Sequence, residues 1–111
     1  MQGKAMSQEY GVTAPKKLSE ILEANREVIR KVVEAHRARN VRVFGSVLHG
    51  TVTEESDLDL LIDPTPETTL FDIGAIIADL SEQLGVRVDV RTPDDLHPTF
   101  RAEVLAEARP L

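Results

Sequence analysis

Gly45 and Ser46 open a short loop, Gly50 lies at its far side, and Ser56-Asp57-Leu58-Asp59 follows. Side chains alternate along a strand, so Asp57 and Asp59 share a face, with their Cβ atoms about 6–7 Å apart. Further along, "VRVDVRT" puts Val86, Val88 and Val90 on one face and Arg87, Asp89 and Arg91 on the other. If the two strands are neighbours, Asp89 joins Asp57 and Asp59 as a third carboxylate. Three such groups repel, and one must take a proton unless a cation sits among them. Oxygen ligands without Cys or His favour Mg²⁺ or Mn²⁺ over Zn²⁺, and Mg²⁺ is commonly shared between carboxylates and substrate phosphates. The pattern therefore points to chemistry on a phosphate ester or a nucleoside triphosphate.

The Gly-Ser loop supplies the anion-binding half. Gly45 allows a sharp turn and a close approach of backbone to ligand, while backbone N–H groups and the Ser46 hydroxyl face the terminal phosphates. Gly50 keeps the floor of the loop open. No lysine follows the glycines as it does in a Walker loop. Each part has an ordinary structural explanation: a turn, a solvated Asp-x-Asp, arginines flanking Asp89 as surface ion pairs, an exposed His49, and an Asp63 that turns the chain before Pro64. None of those explanations requires all the parts together.

The elements that must hold these residues are legible from periodicity. Leu18, Ile21, Leu22, Val28, Ile29, Val32 and Val33 recur at helical spacing, predicting one amphipathic helix from Lys17 to about Arg39. Strands are expected over Val41–Phe44, Asp57–Asp63 and Val86–Thr92, with a helix over Leu70–Leu84 stopped by Gly85 and a last helix over Thr99–Ala108. Ser46 to Gly50 reads as a loop or a single helical turn. The order helix, strand, strand, helix, strand, helix gives an α/β (α+β) domain, a small mixed sheet flanked by helices. Residues 1–16 are expected as a loose arm and 17–111 as the domain.

Composition narrows the function. With 111 residues there is one core, and without cysteine there is no disulfide framework or thiolate metal site. A net charge of -6, with 13 Lys+Arg scattered among 19 Asp+Glu, argues against direct nucleic-acid or anionic-membrane binding. No apolar run approaches membrane-spanning length, and the first residues lack the core of a secretory signal, so a cytoplasmic protein is expected.

"GSVLHGTVTEESDLDLLID" resembles the G-S-x-x-x-G…S-D-x-D signature of the DNA polymerase β nucleotidyltransferase superfamily. More narrowly, the chain resembles the minimal nucleotidyltransferases, antitoxin partners of HEPN-type ribonuclease toxins. That resemblance implies a polymerase β palm-like fold, triphosphate binding by Gly45, Ser46, Gly50 and Ser56, Mg²⁺ held by Asp57, Asp59 and Asp89, and activation of the acceptor hydroxyl by Asp89. It implies transfer of AMP from ATP to a tyrosine of a HEPN toxin. Many relatives carry a basic residue after Gly-Ser where this chain has Val47. Competing readings are an inactive antitoxin acting by contact alone, and nucleotide transfer to tRNA or to a small molecule.

Overall fold

A computed structural model describes residues 18–53 and 55–111 of the chain; the arm expected over 1–16, like Lys17, lies outside the described residues. Residues 18–24 form a first helix (α1), followed by α2 (Arg26–Ala35), β1 (Ala38–Phe44), α3 (Ser46–His49) and β2 (Leu58–Pro64). Then come α4 (Leu70–Leu84), β3 (Val88–Arg91), a 3-10 turn at Pro93–Asp95, α5 (Pro98–Glu107) and β4 (Arg109–Pro110). The four strands make one mixed sheet in the order β3-β2-β1-β4. β1 runs antiparallel to β2 and β4, and β2 runs parallel to β3. The α/β class and small mixed sheet expected from the sequence are what the chain forms. Among the described residues no helix is long and apolar enough to cross a membrane.

The single helix expected from Lys17 to Arg39 is divided and shorter. Asn25 interrupts it, its side-chain amide donating to the Ile21 carbonyl at 2.8 Å, the local competition that makes Asn a poor helix interior. Helix α2 ends at Ala35, and Arg37 takes a left-handed φ of 67°. Residues 38–40 are then claimed by the sheet, with Ala38 opposite Pro64 and Arg39 opposite Asp63. A register shift follows at Asn40, whose φ is 57°; its side chain donates to Asp63 Oδ2 at 2.8 Å. Long-range pairing outweighed helical periodicity here.

β2 is the centre of the molecule. Leu58, Leu60 and Ile62 are wholly buried and join Ile29 and Val33 of α2 with Ile76 and Leu80 of α4 in the main core. Leu61 is equally inaccessible but lies outside that cluster, on the aspartate face, where the Pro93–Asp95 turn packs on β2. Helix α4 follows the expected limits and is stopped by Gly85 at φ 71°. Its start carries a capping box: Thr69 Oγ1 accepts from the Asp72 amide at 3.2 Å, and Asp72 Oδ2 accepts from the Thr69 amide at 2.9 Å. Thr69→Ala is expected to lower stability by about 1 kcal/mol in urea denaturation without changing the slope of the transition.

β4 was not legible from composition. Two residues at the chain end pair with Arg42 and Val43 because α5 carries the chain from the β3 edge to the far edge of β1. Helix α5 contributes no buried residue to the fold. It crosses the aspartate side of the sheet without sealing it.

Candidate active site

The site begins where β1 stops. Gly45 has φ 80° and ψ -145°, a backbone conformation other residues avoid, and a Cβ there would fall 2.4 Å from Asp59 Oδ2. Glycine at this position is therefore the condition for the chain to turn directly over the Asp59 carboxylate. Helix α3 is one short turn, in which His49 N–H donates to the Gly45 carbonyl at 3.1 Å. Gly50 closes the turn with φ 71° and open space around it, so its role is backbone conformation rather than close approach.

Asp59 and Asp89 face each other across the parallel β2–β3 pair, in register. This is the neighbour relation that the sequence reading required. Asp57 stands just before β2 rather than within it, still close enough to act electrostatically on Asp59. Half-burial pushes the Asp59 carboxyl up to about 6, the like charges of Asp89 and Asp57 add to the rise, and Arg91 partly offsets it. Among the described residues Asp59 forms no ion pair, Arg91 being paired to Asp89.

Its two companions are otherwise engaged. Arg87 Nε donates to Asp57 Oδ1 at 2.8 Å, and its other arm donates to the Glu55 carbonyl. Arg91 Nε donates to Asp89 Oδ2 at 2.9 Å. Both arginines were expected to flank Asp89; Arg87 goes to Asp57 instead, because β3 runs alongside the approach to β2 and Leu58 N–H bonds the Arg87 carbonyl at 2.9 Å. With the side chains so turned, no group of three among the described residues closes on a single metal position.

The remaining candidates divide. Ser46 opens α3 beside Gly45, where the first amides of a helical turn lack intrahelical acceptors. Ser56 is used within its own turn: its Oγ accepts from the Thr53 amide at 2.8 Å. Asp63 is structural, held by Arg42 at 2.9 Å and by Asn40. His49 reaches across to Glu107 Oε1 at 2.8 Å and so ties the Gly-Ser turn to the end of α5.

Sequence reasoning missed the apolar wall of the site. A cleft of about 350 Å³ runs between α5 and the sheet, with Asp59, Asp89 and Arg91 on one side and Leu96, Phe100 and Val104 on the other. Phe100 and Val104, four apart on the last helix, were the available signal; Leu96 precedes that helix.

Residues 15–111 match the family described as "Nucleotidyltransferase domain". A Thermococcus cleftensis relative named protein adenylyltransferase MntA is 31% identical over 90 residues, covering 81% of this chain and 88% of its own length. A Methanocaldococcus jannaschii protein, provisionally named a protein adenylyltransferase, is 32% identical over 85 residues, covering 74% and 91%. A solved structure provisionally described as a minimal nucleotidyltransferase superposes with TM-score 0.75 at 44% identity, covering 83% of this chain and 94% of that one. The same fold occurs in a toxin–antitoxin crystal structure with AMP-PNP, with TM-score 0.65 at 18% identity over 78% of this chain and 71% of that one. A glycine turned over one carboxylate, with a second in register on the parallel neighbour, is thus found in a chain that belongs to the nucleotidyltransferase domain family, as one of its minimal members and a nucleotidyl-transferring enzyme.

Proposed function

We propose that this protein transfers the AMP moiety of ATP to a hydroxyl, a tyrosine by family resemblance, on a partner toxin of the HEPN type, and so acts as its antitoxin. The observation that carries this reading is Asp59, held under the Gly45 turn on one side and in register with Asp89 on the other. The names of the relatives support protein adenylylation, and the toxin–antitoxin structure with AMP-PNP supports a nucleotide and a protein partner. An acceptor carried by a partner protein is consistent with that assembly, and a basic contact surface on the partner would complement a chain of net charge -6.

The residues fit a divalent cation of the Mg²⁺ or Mn²⁺ kind. The donors are all carboxylate oxygens, and Asp59, raised first by burial, also feels the like charges of Asp89 and Asp57, which a cation would offset. Asp59 would hold the ion with Asp57 and Asp89, once these two leave Arg87 and Arg91. Bound there, it would neutralise charge on the α-phosphate and the leaving pyrophosphate. The chain itself does the rest. Gly45 and Ser46 seat the β- and γ-phosphates through amides and the hydroxyl. Asp89 orients the acceptor hydroxyl and takes its proton as the acceptor oxygen bonds to the α-phosphorus and the α–β bridging bond breaks. Rate enhancement comes from positioning and electrostatics.

The direct test incubates the protein and its partner with α-labelled ATP and Mg²⁺. Label is expected on the partner, and is expected to vanish with Asp57→Asn. An unlabelled partner in the presence of the intact acids overturns the enzymatic reading; protection of cells that survives Asp57→Asn would instead mark an antitoxin acting by contact alone.

A further inference from the structure

Helix α5 lies across the catalytic face, yet its first turns keep Phe100 57% exposed and bury nothing in the core. That segment is nevertheless fixed. Arg101 Nε donates to the Pro93 carbonyl at 2.9 Å and Nη2 to the Leu96 carbonyl at 3.0 Å, while His97 Nδ1 accepts from the Thr99 amide at 3.1 Å. The His97 and Phe100 rings stand 6.0 Å apart and tilted. A rigid apolar wall therefore faces Asp59 and Asp89 across the cleft, with Phe44 in its lining and Arg91 near the β3 edge.

We infer that this cleft is the acceptor subsite, and that Phe100, with Leu96 and Val104, holds the aromatic ring that carries the reacting hydroxyl. The inference rests on the nucleotidyl-transfer reading above. An in-line displacement puts the entering oxygen opposite the leaving one. The leaving pyrophosphate lies at Gly45–Ser46, at the end of β1, and Asp59 is next on β2. The entering oxygen then falls on the β3 side, at Asp89, which lines the cleft. A planar ring suits the space: Phe100 offers an aromatic contact and Arg91 a guanidinium plane, while a small aliphatic hydroxyl would leave the wall uncovered. Phe100 is a specificity-determining residue in this scheme, touching the acceptor and not the phosphates.

The test uses NMR of the full chain with labelled backbone amides, methyl groups and aromatic rings. Its ligands are Mg²⁺ with the α,β-methylene analogue of ATP, whose bridge cannot be cleaved, and then N-acetyl-tyrosinamide as acceptor probe. Nucleotide alone is expected to shift Gly45, Ser46 and Val47. Adding the phenolic probe should shift Leu96, Phe100 and Val104, and N-acetyl-serinamide should not. Phe100→Ala should weaken the probe by at least about fivefold while leaving nucleotide affinity unchanged, and Phe100→Tyr should restore the probe. Shifts of Phe100 and Val104 by the nucleotide, with Phe100→Ala weakening the nucleotide, would make the cleft a nucleobase pocket and overturn the inference. So would a bound nucleotide with no response to the probe at saturating concentration. Absence of any nucleotide response separately sinks the nucleotidyl-transfer reading.

Discussion

Replacing Gly45 by alanine is expected to abolish nucleotidyl transfer and to destabilise the fold by about 2–4 kcal/mol, combining left-handed backbone strain with overpacking. The added methyl would fall 2.4 Å from Asp59 Oδ2, 3.1 Å from its Cγ and 3.3 Å from its Cβ, so the carboxylate must move. Asp59 sits in a buried strand between β1 and β3, and the backbone beneath it cannot yield. Gly50 provides the control. Its φ is also positive, 71°, but ψ of 24° puts it in the left-handed helical region, unlike ψ of -145° at Gly45, and nothing lies within 4 Å of the added carbon. Gly50→Ala should therefore cost only the conformational strain, about 1 kcal/mol, and retain transfer. Urea denaturation of the two variants beside a transfer assay makes the comparison. Equal losses at the two positions would show that backbone strain, and not contact with Asp59, is what glycine at 45 relieves.

Asp59→Asn should separate activity from stability, with opposite signs. Transfer is expected to fall at least about 10²-fold, since the substitution removes a carboxylate aimed at developing phosphate charge. Thermal stability of the free protein should rise at alkaline pH. Lifting the carboxyl from 3.8 to about 6 costs the folded state about 3 kcal/mol once ionised, which solvent screening at a half-buried site reduces to about 1–2 kcal/mol. The folded state binds this proton more tightly than the unfolded chain, so its contribution to stability is full below about pH 4 and is lost as pH rises through 6. Asparagine has no such dependence. The variant should thus melt about 4–8 °C above the parent at pH 8, with the gap closing toward pH 4. Melting curves of both proteins over that range, without divalent ions, decide it. A gap independent of pH, or a variant less stable at pH 8, would show that Asp59 is not strained by its charge.

Both expectations depend on residues whose types could be read in advance and whose contacts could not. The Gly-Ser turn, the Asp-x-Asp and the later aspartate stood out because carboxylates gathered beside a glycine loop need a cation. The limits of α4 were equally readable, since an apolar stripe, Thr69 and Gly85 all bracket the same segment. Where the reading went astray, pairing between distant segments had decided the matter. The first helix was expected through Arg39, but Ala38–Asn40 follow Asp63 and Pro64 into the sheet. Arg87 was assigned to Asp89, yet the parallel offset of β3 hands it to Asp57.

Sequence by itself determined the class of fold, because periodicity is a local property, and the family, because the Gly-Ser and Ser-Asp-x-Asp signature lies in one short stretch; it marked the acids as candidates. Only the tertiary structure decided that Asp59 is half-buried between like charges, that arginines occupy its two companions, and that α5 leaves an apolar cleft beside them. Those facts follow from strand order, register and the path of the last helix across the sheet. Such relations are set by the burial of one core by the whole chain, and no short stretch of residues carries them.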